Sequence, residues 1–417
     1  MKIRSIHRRR FLIQGAAVAG MAALGAPRTS RAVAQAPPST TEAPPPALPP
    51  PFGKEVYYTR MEQARAGLAG ANAAALVETP GTNLSYLTGL SMGHSERLTA
   101  LVLPASGQPV FICPAFERDL VASAPAGIEE IRVWEEDEDP FALLAKCLKD
   151  ADVGAKPIAV GGSVWYDDFV RINKTVPKAT FVSTTAIVGV MRERKTSQEI
   201  ACMKAAAEIV ERAVASALKD VKEGIRESDL AAAIIARIRE MGAAGSGIVQ
   251  FGPRSAVPHN PTGDARLALR DVILIDFGAQ VNGYWSDISR PAVLGKATER
   301  MKLIHSTIRR VQDRVLEVSR PNMSCAGLDH MARSLLVDRG FRKYLRHRLG
   351  HGIGLDGHEP PYLSGGYIRG LVAGHVVTVE PGVYTPGEYG IRIEDMMEIT
   401  ETGARWLSTP PVAMIEV

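Results

Sequence analysis

Val272-Ile273-Leu274-Ile275-Asp276-Phe277 runs through Gly278-Ala279-Gln280-Val281 into the dipeptide Asn282-Gly283. Tyr284-Trp285-Ser286-Asp287-Ile288-Ser289-Arg290 follows. The first six residues are apolar except for one acid, the composition of a buried strand. Asn-Gly is a strong hairpin signal, because both residues accept the positive φ of a tight turn. Residues 284–289 are then the returning strand. With Asn282-Gly283 as the turn, Asp276 lies opposite Ser289 and Asp287 opposite Gly278. The two aspartates become diagonal neighbours on one face, about 7–8 Å apart at Cα. An acid that ends an apolar strand is costly unless it is paired or bound to a cation. One such aspartate is better read as a turn cap, but two on one face are close enough to reach a shared pair of cations.

Downstream, Leu349-Gly350-His351-Gly352-Ile353-Gly354-Leu355-Asp356-Gly357-His358-Glu359 holds four glycines in eleven positions. Glycine allows close backbone approach, and a neutral imidazole such as His351 can bind metal. His347 and His358 flank it, whereas His94, His305, His330 and His375 read as ordinary core or surface histidines. Val376-Val377-Thr378-Val379-Glu380-Pro381-Gly382 is a further strand that ends in an acid. In Gly390-Ile391-Arg392-Ile393-Glu394-Asp395, period two puts Arg392 and Glu394 on one face and Asp395 on the other. The plain alternative for that pair is a solvated strand face. Asp276, Asp287, His351, Glu380 and Glu394 together offer four carboxylates and one imidazole. Oxygen donors suit Mn²⁺, and the imidazole also admits Co²⁺, Zn²⁺ or Fe²⁺. Four negative charges balance two divalent ions. Without metal the clustered acids would repel and some would take up protons.

Upstream, residues 53–185 alternate strand and helix signals. Helices are expected over 57–69 and 141–148, and strands over 73–78, 99–103, 110–113 and 158–160, the pattern of a sheet covered by helices. The acid run 133–139 reads as a solvated face. Thr196-Ser197-Gln198-Glu199 is a capping box that opens a helix, and a second helix is expected over 227–241.

The 417 residues are 46% hydrophobic and 23% charged, which excludes a disordered chain, a collagen and a polytopic membrane protein. Four scattered cysteines exclude a disulfide scaffold. The net charge of +4 is misleading, because residues 1–34 hold seven basic residues and no acid. Beyond them 42 basic residues face 45 acidic ones, so there is no electrostatic case for nucleic acid. His7-Arg8-Arg9-Arg10-Phe11-Leu12, an apolar stretch to about Ala26 and Ala32-Val33-Ala34 form a signal peptide of twin-arginine type, with cleavage expected after Ala34. Residues 35–52 hold eight prolines and read as a semi-rigid linker. The expected organisation is signal peptide 1–34, linker 35–52, N-terminal domain 53–187 and catalytic domain 188–417. The protein is expected to be exported, periplasmic or secreted, and membrane-tethered only if the signal is retained.

The series DFG…SDISR, GHGIG…HE, TVEPGVY and GIRIEDM resembles the pita-bread metallopeptidases over about residues 190–417. That family includes aminopeptidase P, prolidase, methionine aminopeptidase and creatinase. Gly81-Thr82-Asn83-Leu84-Ser85-Tyr86-Leu87-Thr88-Gly89 resembles the N-x-x-Y-L-T-G stretch of the creatinase/prolidase N-terminal domain. Together the two favour the aminopeptidase P, prolidase and creatinase branch and imply an α/β (α+β) fold with a pita-bread catalytic domain. The resemblance implies that Asp276 chelates one metal, that Asp287 and Glu394 bridge two, and that His351 and Glu380 bind the other. All five ligand types are intact, unlike creatinase itself, whose branch lacks the metal set. His259 matches the family's substrate-side histidine, and His358 matches one that bonds substrate or the tetrahedral intermediate. His347 and Arg392 match further active-site positions of the Xaa-Pro branch. Glu380 would also shuttle the proton.

The implied activity is that of a metal-dependent Xaa-Pro peptidase, aminopeptidase P-like or prolidase-like, that cleaves small peptides before proline with a hydroxide activated by two metals. Relatives of this branch are commonly dimers or tetramers, so a homodimer or homotetramer is expected. Two rivals stay open: a non-peptide C–N hydrolase or lyase on a small metabolite, and an inactive binding module on the same fold. One departure is DISRP where DITRT is usual. Pro291 removes a backbone donor, so altered strand pairing is expected after Arg290.

Overall fold

The computed structural model describes residues 44–417. The stretch read as a signal peptide lies outside the described residues. Among the described residues no helix is long and apolar enough to cross a membrane.

The first sheet comprises β1 (Ala75–Glu78), β2 (Ala100–Pro104), β3 (Val110–Pro114), β4 (Glu130–Trp134), β5 (Ile158–Val160) and β6 (Phe181–Ser183), in the order β4-β3-β2-β1-β5-β6. β1 pairs antiparallel with β2 and parallel with β5. Side chains alternate between two cores. Leu76, Leu101 and Leu103 pack with Met61 and Leu68 of helix Lys54–Gly70, whereas Val77, Val102 and Ile112 pack with Phe141 and Leu144 of helix Pro140–Asp150. Both faces are covered, which is why these strands read as unbroken apolar runs. The acid run 133–139 is exposed as expected except at Trp134, which ends β4, is buried and donates its indole N–H to Leu98 O at 3.0 Å.

Helix Ser197–Leu218 opens with the expected capping box. Thr196 Oγ1 accepts from Glu199 N at 3.3 Å, and Glu199 Oε2 accepts from Thr196 N at 2.6 Å. With helix Glu227–Glu240 it covers β7 (Ala244–Phe251), β8 (Val272–Val281), β9 (Tyr284–Trp285) and β10 (Ile288–Val293). The remaining strands are β11 (Gly350–Gly352), β12 (Glu359–Leu363), β13 (Val376–Val379), β14 (Gly382–Thr385), β15 (Tyr389–Arg392), β16 (Asp395–Ile399), β17 (Ala404–Trp406) and β18 (Ile415–Glu416). They complete one sheet ordered β18-β10-β8-β7, with β9 on β8, a second ordered β12-β11-β13-β16-β17, and the ribbon β14-β15. Helices Glu299–Val318 and Cys325–Val337 pack with the second sheet. Met301, Ile304, Ile308, Val311 and Val315 recur at helical spacing and are buried there, at roughly 1.5–3 kcal/mol for a fully buried large apolar side chain.

The hairpin forms as read. Asn282 and Gly283 take φ of 48° and 87°, and Asp276 pairs with Ser289. The expectation for Pro291 is corrected: β10 keeps its register on β8 through Pro291, Ala292 and Val293. Leu294 N donates to Asp271 O, so alternation turns the even positions of β10 toward β8 and Pro291 away from it. The missing N–H therefore costs that ladder nothing. At the turn, Asn282 Nδ2 donates to Pro49 O and Pro50 O at 3.0 and 3.1 Å, so the end of the proline-rich stretch rests on the hairpin.

Candidate metal centre

The expected ligands come from five places in the two sheets, Asp276 and His351 within strands and the other three at strand ends or breaks. Asp276 lies in β8, where its partner Ser289 is in β10. Asp287 falls in the gap between β9 and β10, and Glu394 in the gap between β15 and β16. Glu380 follows β13, and His351 is central in β11. β11 can lie close against β13 because residue 350 is glycine; a Cβ there would stand 1.9 Å from Thr378 O.

Donor atoms of Asp276, Asp287 and Glu394 lie within 4.8 Å of one another, as do those of His351, Glu380 and Glu394. Glu394 belongs to both groups, so all five residues converge. A third group joins Asp287, His351 and His358. His351 Nε2 stands 3.4 Å from Glu380 Oε1 and 3.9 Å from Asp287 Oδ2. Its Nδ1 bonds Gly352 O at 3.1 Å. A carbonyl only accepts, so Nδ1 carries the proton and Nε2 presents a lone pair to the acids.

The electrostatics fit a cation site. Burial, then the charges of Asp276 and Glu380, hold the Asp287 carboxyl well above its ordinary range. Burial, then Asp287, Glu380 and Asp276, do the same to Glu394. Glu380 is pushed up to about 7, chiefly by burial. Burial, reinforced by His358, lowers His351 to about 3 and keeps it neutral. Acids this close share a dry site either by taking protons or by holding cations. Four carboxylates and one imidazole with a free Nε2 match hard divalent ions.

Arg392 and Glu394 are 1% and 2% exposed, which corrects the alternative of a solvated strand face. Arg392 Nη2 donates to Asp276 Oδ2 at 2.6 Å and its Nε to Ser289 Oγ at 2.9 Å. Ser289 Oγ donates to Glu394 Oε2 at 2.8 Å. One guanidinium and one hydroxyl thus link an expected ligand of the hairpin with an expected ligand of the later strands. Asp395 faces the opposite way, toward Arg290 Nη2 at 2.7 Å and Ser408 Oγ at 2.7 Å.

His259, Asp276, Asp287 and His358 line one cavity of about 540 Å³ with Ile248, Trp285 and Leu355. His259 is presented by the 257–260 segment, whose carbonyls at Val257 and Asn260 accept from the buried Gln250 Nε2. His347 stands aside from that cavity. Its Nδ1 bonds Arg348 O at 2.8 Å, and its Nε2 accepts from Tyr384 OH at 2.7 Å.

Two residues of this centre were not anticipated. The Tyr384 phenol is buried between His347 Nε2 and Arg392 Nη1, the latter at 2.8 Å. Gln312 is also buried, and its Nε2 donates to Val379 O at 2.8 Å and Ile393 O at 3.1 Å, the carbonyls just before Glu380 and Glu394. A glutamine on an amphipathic helix carries no such signal in sequence.

A helix-covered α/β domain ahead of a sheet pair that gathers four acids and an imidazole defines a two-domain metallohydrolase. Residues 201–401 match metallopeptidase family M24, and residues 60–194 match the creatinase/prolidase N-terminal domain. The protein named "Probable dipeptidase PepE" of Mycobacterium tuberculosis is 34% identical over 376 residues, which is 88% of this chain and 98% of that protein. The crystal structure of dipeptidase PepE from Mycobacterium ulcerans is 33% identical with a TM-score of 0.83, covering 88% of this chain and 100% of that one. The recombinant prolidase from Thermococcus sibiricus is 28% identical with a TM-score of 0.80, covering 87% and 99%. The chain belongs to metallopeptidase family M24, with a creatinase/prolidase N-terminal domain and a pita-bread catalytic domain; it is a peptidase of a family that implies divalent metal ions.

Proposed function

We propose that this protein is an Xaa-Pro peptidase that hydrolyses the bond before proline in small peptides. The observation that carries the reading is a convergent donor set whose Asp276 and Asp287 line one cavity together with His259 and His358. The prolidase and dipeptidase relatives support it. Asp276 would chelate one ion, Asp287 and Glu394 would bridge, and His351 and Glu380 would hold the other. Two divalent ions, Mn²⁺ foremost, would supply Lewis acidity to the scissile carbonyl and lower the pKa of a shared water toward about 7.

The chain's own groups do the rest. Glu380 takes up and returns a proton at its carboxylate. Partial desolvation of its ring, then the nearby Arg348, lower His358 from the ordinary imidazole value, and its imidazole can donate an N–H to the developing oxyanion. His259 holds the substrate near the scissile bond. His347 and Arg392 act from behind the ligands, through Tyr384 and Asp276. Proline has no amide N–H, and the apolar walls Ile248, Trp285 and Leu355 suit recognition by ring shape. On this reading the protein is exported on its twin-arginine-type signal, works as a homodimer or homotetramer, and binds no nucleic acid.

The test is a peptide-library digest with the metal-loaded mature protein, read by mass spectrometry. Release of the N-terminal residue from X-Pro peptides, abolished by chelation and restored by Mn²⁺, is expected. Cleavage confined to bonds that do not precede proline, or to none, refutes the specificity.

A further inference from the structure

The imidazole of His358 reaches the cavity from an exposed position, and its ring makes no hydrogen bond among the described residues. Its ring contact is with His351, centroid to centroid at 3.8 Å. Its place must therefore be set by the loop that carries it. That loop is gripped on both sides of His358 by side chains that precede residue 196. Thr82 Oγ1 donates to Asp356 Oδ1 at 2.6 Å. Arg192 Nη2 donates to Asp356 Oδ2 at 2.6 Å and to Glu359 Oε2 at 2.5 Å. Lys195 Nζ donates to Glu359 Oε1 at 2.7 Å.

Arg192 is itself held. Its Nη1 donates to Asn83 Oδ1 at 2.9 Å, and Asn83 Nδ2 donates to Glu78 Oε1 at 2.9 Å. Its side chain is 12% exposed and that of Glu359 is 5% exposed. Paired charges so little hydrated are tied more firmly than surface pairs. A second cavity of about 390 Å³, lined by Thr82, Asn83, Arg192, Asp356, His358 and Glu359 among others, meets the first at Asp356 and His358.

We propose that Thr82 and Arg192 are positioning residues of the active site: by clamping Asp356 and Glu359 from the N-terminal domain, they set where the His358 imidazole stands. The inference rests on the role given to His358 above. It also gives the N-terminal domain a part in turnover without contact with substrate. Misplacement of a reacting group by about 1 Å can cost on the order of 100-fold in rate, so loosening one of these clamps is worth roughly tenfold.

The test is a double-mutant cycle with Thr82→Val, which removes one hydroxyl from a partly buried site, against His358→Ala, assayed on whichever library peptide the wild type cleaves fastest. Thr82→Val alone should lower kcat about 5- to 10-fold, with KM and metal content within about twofold of wild type. It should also speed amide exchange across 354–359. In the His358→Ala background the same change should cost less than about twofold, because the group being positioned is gone. Arg192→Lys, which keeps the charge but cannot fork to Asp356, Glu359 and Asn83 together, should lower kcat further and show the same dependence on His358. An unchanged kcat in Thr82→Val, an equal loss with and without His358, or unaltered exchange at 354–359 overturns the inference. Cleavage of peptides lacking X-Pro bonds would refute the specificity alone and leave the cycle measurable. No cleavage of any peptide refutes both.

Discussion

Tyr384 shows how much of the centre depends on a side chain that binds nothing itself. Burial pushes its phenol up to about 12, so the hydroxyl stays protonated. It donates to His347 Nε2 and accepts from Arg392 Nη1. Tyr384→Phe leaves both groups short of a partner, at a cost of roughly 1–3 kcal/mol for an unsatisfied buried group. Because Arg392 steadies Asp276, the variant should keep its metal at saturating concentration yet lose about 10- to 100-fold in kcat. Steady-state kinetics beside elemental analysis reads both, and unchanged turnover would show that Arg392 needs no such support. Among the four acids and one imidazole expected as ligands, Asp276 and Glu380 stood out in sequence because each interrupts an apolar run, where an uncompensated charge is expensive. Tyr384 did not, since a tyrosine two residues after Gly382 reads as ordinary packing.

The strands were legible in outline and misread at their breaks. Period two correctly placed Arg392 with Glu394 and opposed both to Asp395, but it implied continuous strands through Asp287 and Glu394. The chain instead breaks between β9 and β10 at Asp287, and at Glu394 it leaves the β14-β15 ribbon for a single bridge to Ser289. Sequence alternation cannot register such a gap, because the residues on either side keep their phase. Helix Glu299–Val318 went unassigned although its apolar spacing was there to read, and with it went Gln312. Gln312→Leu should leave the Val379 and Ile393 carbonyls unpaired and free Glu380 and Glu394 to drift. A support of this kind is worth about 10- to 100-fold in metal affinity. Competition titration with a chelator should show that loss, with stability reduced by about 2 kcal/mol; wild-type affinity would contradict it.

The folded chain also carries buried histidines that tune its stability. Burial, with Arg309 nearby, lowers His305 to about 4 from 6.5. Burial, with Lys195, Arg369 and Arg194 nearby, lowers His375 to about 3 from 6.5. In the unfolded chain each takes a proton near pH 6.5, whereas in the fold each refuses it until pH 4 or 3. Between those values the unfolded state binds more protons, so stability falls as pH drops and the loss is complete below about 3. Glu78 runs the other way. Burial raises it to about 7 from 4.5, so its penalty lifts on acidification. His305→Leu isolates one contribution, because His305 Nε2 has no partner to lose. Urea unfolding of metal-free protein at pH 7 and pH 4.5 should show a pH dependence smaller in the variant by about 2 kcal/mol. Identical dependence in both proteins would contradict it.

All of these effects surround one claim, that five residues drawn from separate strands and strand breaks cage a pair of cations. Elemental analysis of protein stripped by chelation, reloaded with Mn²⁺ and desalted tests it most directly, with Asp287→Ala carried in parallel. The expected result is about two ions per wild-type chain and loss of both from Asp287→Ala, because under the proposed assignment that carboxylate would serve both positions. A wild type that retains no ion, or an Asp287→Ala variant that remains fully loaded, contradicts it.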